Sequence, residues 1–260
     1  MAGPLPLSRL IDAVYGRLFG NLGAFLKVAL TWTLITVILV VALVALAPEA
    51  WDGPAGSLAM AVVGAGIAIG WHRFVLREER RAFSRPNTLA RYVLLAAVAV
   101  MPGAAIVLMG TPAIAALLHG LGDRAGATVM TAVIILLAVA GTAVTFRLSL
   151  ILPAVAIGDR SMTFRRSWAA TRGNVARIFV GCVAVQIPPW LGIGLLTWLL
   201  ERWQGLPSSA GPDAGDVVLA GVGAVLWLLL SALATALFAG FLSELYLRLY
   251  LDPEEPAPVS

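Results

Sequence analysis

The chain has 260 residues, 60% of them hydrophobic and only 12% charged, with a formal net charge of +4 and a mean hydropathy of +0.92. Soluble domains carry about 25% charged residues. At half that figure one globule cannot cover its apolar interior, and a disordered chain, a coiled coil, a collagen-like repeat and a disulfide scaffold are excluded as well. What remains is an all-α, polytopic transmembrane helical bundle, in which the single Cys182 is a small packing residue.

The first element is amphipathic. Leu7, Leu10, Ile11, Val14 and Leu18 share one helical face, Ser8 is placed to cap, and Arg9, Asp12 and Arg17 interrupt the apolar pattern. This predicts a helix lying in the membrane interface and ending in a left-handed cap at Gly20-Asn21. Six apolar runs follow, each near the roughly 20 residues that cross a hydrocarbon core. They are Phe25 to Ala47, Ser57 to Val75, Leu89 to Met109, Ala127 to Ile157, Ile178 to Leu200 and Val217 to Tyr250. The last is long for one crossing and must tilt or project into water. The first is longer than a signal-peptide core, and Pro48 follows the candidate cleavage site Ala45-Leu46-Ala47, so it is read as retained.

Arginine placement sets the orientation. With the N-terminus in the cytosol, only Arg124 and Arg202 of the 18 basic residues fall on the outer side. The positive-inside rule therefore predicts an even number of spans with both termini cytosolic. A basic stretch, a small residue or proline, an asparagine and an apolar run recur at 80–91 and, with a second amphipathic interfacial helix, at 161–177. The expected organisation is one integral domain over 1–251, made of three hairpins (7–79, 80–160, 161–250). An acidic, Pro-rich, disordered cytosolic tail over 252–260 follows.

Few residues can carry chemistry. His72 and His119 fall at opposite membrane faces and cannot share a metal, and no nucleotide, zinc-protease or nucleophile-elbow motif occurs. Trp71, His72 and Arg73 read as interfacial anchors. Arg147 and Glu244 are the charges that fall inside apolar runs and away from their ends. Arg147 either lies in the membrane or reaches the interface if its helix stops before Pro153. Glu244 either bridges to Arg248 on its own helix or reaches across to Arg147. Pro188 and Pro189, beside Gln186, predict a kink or break in the fifth span that frees backbone carbonyls. The candidate polar cluster is thus Arg147, Glu244 and Gln186. Gly64, Gly66 and Gly70 mark a close helix contact.

Two stretches are familiar: Trp71-His72-Arg73-Phe74-Val75-Leu76, and residues 147–177 with Phe164-Arg165-Arg166-Ser167-Trp168 and Thr171-Arg172-Gly173-Asn174. They resemble poorly characterised six-helix bacterial inner-membrane proteins. These include the YciC-like group and the membrane domain that accompanies some glycerophosphodiester phosphodiesterases. The resemblance implies a six-span plasma-membrane protein without the phosphodiesterase activity, which belongs to a separate domain, and it supplies no catalytic residues. The expected role is a non-catalytic scaffold that contacts membrane lipids, anionic ones included, or a protein partner, with no cofactor and no nucleic acid. The alternative is a small transporter or lipid-handling protein built on the broken fifth span and an Arg147–Glu244 pair.

Overall fold

The computed structural model describes residues 5–46, 53–118, 123–204 and 214–251. These residues form α1 (Leu7–Gly20), α2 (Leu22–Leu46), α3 (Pro54–Arg77), α4 (Pro86–Leu118), α5 (Asp123–Leu148), α6 (Ile151–Ile157), α7 (Phe164–Ala170), α8 (Val175–Gln204) and α9 (Ala214–Tyr246). A π-helical turn, Leu247–Leu251, ends α9. Six segments are long and apolar enough to cross a membrane: α2, α3, α4, α5 continued through α6, α8, and α9 with its π turn. The chain is an all-α polytopic transmembrane bundle. His119 and the tail 252–260 lie outside the described residues.

Local signals set most boundaries. Pro54 starts α3 behind Gly53, and Pro86 is the first residue of α4, both positions where a missing N–H is harmless. Thr163 caps α7 by accepting from the Arg166 amide at 3.2 Å. Gly158 and Gly173 take the left-handed conformation, with φ of 77° and 83°, and turn the chain after α6 and α7. The expected cap at Gly20-Asn21 is different. Asn21 has φ −134°, and its side-chain amide donates to the Arg17 carbonyl at 3.0 Å, so α1 runs into α2 after a one-residue break. Ser8 is not the N-cap of α1 either: Pro6 holds that position and Ser8 is exposed within the first turn.

The long helices pair with their chain neighbours, α2 on α3, α4 on α5 and α8 on α9. The pairs converge at one end, which carries most of the arginines. There α9 packs on α1, α2 and α3, while α6 sits among α3, α4 and α9. This basic end holds the core: Leu10, Leu18, Ile69, Trp71, Leu150, Ile178, Leu237, Leu242 and Leu245 are all fully buried. The helix α3 is central, with 61% of its span window buried against 11% for the α5 segment.

Among the described residues towards the far end, each pair is held mainly along its own seam. In α5, residues 134–136 and 138–140 are exposed, while 130, 133, 137 and 141 form a partly covered stripe at helical spacing. That stripe meets α4 where Gly103 and Gly141 bring the two backbones together. In α8, Trp190, Leu191, Leu195 and Trp198 are bare, while Gly192 faces Leu230 of α9. Of the three glycines expected to mark a contact, Gly66 lies against Trp32 and Gly70 against Val28 of α2, whereas nothing approaches Gly64. These small residues serve packing within the chain.

Candidate functional site

The polar groups of the basic end form five separate arrangements, each joining different elements. The first centres on Glu244, whose side chain is 5% exposed. Arg17 donates from Nε to Glu244 Oε1 at 2.6 Å, and Arg248, one turn along, places its Nε 3.7 Å from Oε2. Both carboxylate oxygens are therefore occupied by arginine, one from α1 and one from the π turn. The expected Arg147–Glu244 pair does not form. Helix α1 is amphipathic, but Leu10, Val14 and Leu18 bury their face in the bundle, which carries Arg17 to the acid first.

The second arrangement crosses the middle of the basic end. His72, fully buried, places Nδ1 2.7 Å from Ser243 Oγ and Nε2 3.1 Å from Tyr92 OH. Ser243 has one proton, and it donates to the Ala239 carbonyl at 2.9 Å. Ser243 therefore accepts from His72 Nδ1–H, and Tyr92 donates to Nε2. The relay runs Tyr92, His72, Ser243 and ends on a backbone carbonyl, with no carboxylate to take a proton. It joins α4, α3 and α9. The Trp71-His72-Arg73 stretch is thus not a set of interfacial anchors. Trp71 and His72 are interior because α9 covers this face of α3, and Gly240 lets Trp71 approach. Arg73 donates to the Ala156 carbonyl at 2.8 Å, near the C-terminal end of α6, where a cation is favoured.

The third arrangement holds Arg147. Helix α5 stops at Leu148, before Pro153, and Pro153 falls in the first turn of α6, where its missing N–H is tolerated. Arg147 then meets α7. Its Nη2 donates to the Trp168 carbonyl at 3.1 Å, and its guanidinium carbon lies 3.8 Å from the Trp168 ring centre. Ser167 donates back to the Arg147 carbonyl at 2.7 Å.

The fourth concerns Gln186, Pro188 and Pro189. Helix α8 is continuous through both prolines, so the expected break is absent. Pro189 cannot donate to the Val185 carbonyl four residues back. The Tyr15 hydroxyl of α1 does so instead, at 2.9 Å, and Gln186 Nε2 donates to the Ala234 carbonyl of α9 at 2.9 Å. Burial pushes the Tyr15 ionisation up, so the hydroxyl stays a donor. Tyr15→Phe should lower stability by about 1 kcal/mol, since it orphans a carbonyl. In a Pro189→Ala background, where the amide is restored, the same change should have much less effect. Detergent-phase thermal unfolding of the four proteins reads this, and equal losses in both backgrounds would remove the link.

A clamp closes the loop after α6. Asp159 Oδ1 accepts from the Ser161 amide and hydroxyl, both at 2.7 Å, and Oδ2 accepts from Tyr246 OH. Arg166 reaches the Ser161 carbonyl at 2.6 Å. Burial acts to raise the Asp159 pKa, but the bonds from Tyr246 and Ser161 and the nearby Arg166 outweigh it and hold the carboxyl below its ordinary 3.8. A depressed carboxyl stabilises the fold fully above its unfolded value and loses that contribution as pH falls through its folded value. Unfolding temperature should therefore fall more steeply below about pH 4 in the natural protein than in Asp159→Asn. Parallel pH curves would show that the clamp contributes nothing.

Sequence reasoning placed Glu244, Arg147 and Gln186 in one cluster, and the structure gives each its own partners. It missed Arg17, Tyr15, Tyr92 and Ser243. The only available signals were the carbonyls freed by the prolines and the need of an acid in an apolar run for a cation. Among the described residues no three His, Cys, Asp or Glu side chains come together. Nothing among curated proteins or solved structures matches the chain. One family model covers residues 13–249, and the chain belongs to that family, the Domain of unknown function (DUF7847).

Proposed function

We propose that the protein is a non-catalytic bacterial inner-membrane scaffold with both termini cytosolic, whose basic end rests on the inner leaflet and binds anionic lipid. One observation carries this reading. The basic end is internally locked, and the arginines not used in locking it, Arg80, Arg81, Arg85, Arg91, Arg165 and Arg172 among them, are exposed around it. Each cation near an anionic leaflet adds about 1 kcal/mol of attraction. Exposed Phe19, Phe83 and Trp168 supply apolar contact with the interface. The YciC-like resemblance belongs to this proposal, and the residues that carry it lie at the basic end. The groups that could move protons are engaged in joining helices. A transport reading loses its two supports, because α8 is unbroken and Arg147 and Glu244 are apart.

The test uses full-length protein in detergent mixed with equal amounts of phosphatidylglycerol and phosphatidylcholine. Native mass spectrometry should show phosphatidylglycerol retained in excess, with the excess shrinking as salt rises. Equal retention of the two lipids would overturn the proposal.

A further inference from the structure

The corner between α5 and α7 has a feature the other polar arrangements lack. Arg147 is a cation that the protein fixes in place without neutralising. Stacking on Trp168, the bond to the Trp168 carbonyl and the Ser167 bond to its own carbonyl hold it. Its Nε is buried with no hydrogen-bond partner, and among the described residues no ion pair reaches it. A buried donor left in this way is costly, and the guanidinium charge stays unbalanced within the chain.

The surroundings add charge and no acid. Arg165 precedes Trp168 by three residues on α7 and so shares its side, and Arg172 follows in the turn that ends α7. Both are exposed. No Asp or Glu occurs from 160 to 177. Arg166, by contrast, points away, into bonds with the Ser161 carbonyl and Tyr250 OH. Phe146, the neighbour of Arg147 in the chain, is buried against Phe179 and Phe238 and anchors the end of α5 in the core. Trp168 itself is 40% exposed, and indoles favour the membrane interface.

We infer that Arg147, Arg165 and Arg172, arranged about Trp168, bind the phosphate of one anionic glycerophospholipid. Arginine suits a phosphodiester because its planar fork meets two oxygens at once. The uncompensated charge of three arginines selects an anionic lipid over a zwitterionic one, and the exposed Trp168 ring favours a lipid over a free anion. The inference rests on the proposal that the basic end faces lipid.

The test compares the full-length natural protein, Arg165→Ala/Arg172→Ala and a control, Arg80→Ala/Arg81→Ala. Both double changes remove two exposed arginines and leave the internal bonds of the basic end intact. Each protein is titrated in detergent with phosphatidylglycerol, phosphatidylcholine or inorganic phosphate, with bound lipid counted by native mass spectrometry. The natural protein should take up one tightly held phosphatidylglycerol, which inorganic phosphate displaces poorly. The first variant should bind that lipid more weakly by an order of magnitude or more, while the control keeps it. If both variants weaken equally, the defined site is overturned and the broader lipid reading stands. If phosphate displaces the lipid readily, the site is an anion site and the inference is wrong. If the natural protein shows no preference for phosphatidylglycerol, the proposed function fails with it.

Discussion

Arg17→Ala is expected to destabilise the bundle by about 3 kcal/mol, and Glu244→Gln by only about 1 kcal/mol. The two sides of this ion pair are unequally placed. The Glu244 side chain is 5% exposed, whereas that of Arg17 is 43% exposed. Deleting the arginine strands a buried carboxylate with Arg248 alone, at 3.7 Å. Glutamine instead removes the charge, keeps an oxygen for Arg17 Nε, and leaves Arg17 free to turn to water. The double variant should therefore be more stable than Arg17→Ala alone, because neutralising the acid relieves the charge that the first change isolates. Unfolding temperatures in detergent read the ranking. A double variant no better than Arg17→Ala would show that the pair acts by packing and not by charge.

The second large effect is expected at Gly103. A Cβ there would lie 2.4 Å from the Gly141 carbonyl oxygen and 2.6 Å from Thr145 Oγ1. Backbone cannot yield as a side chain can, so Gly103→Ala must push α4 and α5 apart. Overpacking of this kind costs about 1–3 kcal/mol, and we expect the upper end because α5 has little other support along its far half. Gly64→Ala is the control. Nothing lies within 4 Å of that position, and alanine favours helix by about 0.5–1 kcal/mol over glycine. It should be neutral or slightly stabilising. A shared response of the two variants, read by unfolding temperature or protease susceptibility, would rule out the seam as the cause.

The transmembrane plan was legible because hydropathy over twenty residues is a strong signal and carbonyl satisfaction leaves helices few alternatives. The course of the chain after Arg147 was partly legible. An arginine in an apolar run and Pro153 six residues later already suggest a helix that stops, and α5 does stop at Leu148. The separate helix α6 was not visible, since its residues are as apolar as the span before it. The role of α1 was hidden for a related reason. Leu10, Val14 and Leu18 have the same spacing whether they face lipid or protein, and only the tertiary fold decides. His72 reads in sequence as one more residue in a Trp-His-Arg stretch at a span end. Its burial follows from Gly240 and Ser243, about 170 positions away on α9. Glu244 stood out as an acid in an apolar run, but spacing names only local partners such as Arg248. Arg17, 227 positions distant, could not be chosen over Arg147 without coordinates.

The ties of α1 bear on biosynthesis. The Leu5 amide bonds to Asn174, the Tyr15 hydroxyl to the Val185 carbonyl, and Arg17 to Glu244, at separations of 169, 170 and 227 residues. Helix α1 is therefore completed by segments made long after it. During synthesis α1 emerges with its apolar face and Arg17 unmatched, and it stays so until α8 and then α9 have entered the bilayer. A ribosome that stalls before α9 releases a product that is threaded through the membrane but unlocked, with the first helix open to proteases. Interleaving α1 with α8 and α9 thus makes the locked basic end a mark that α9 has been made and inserted.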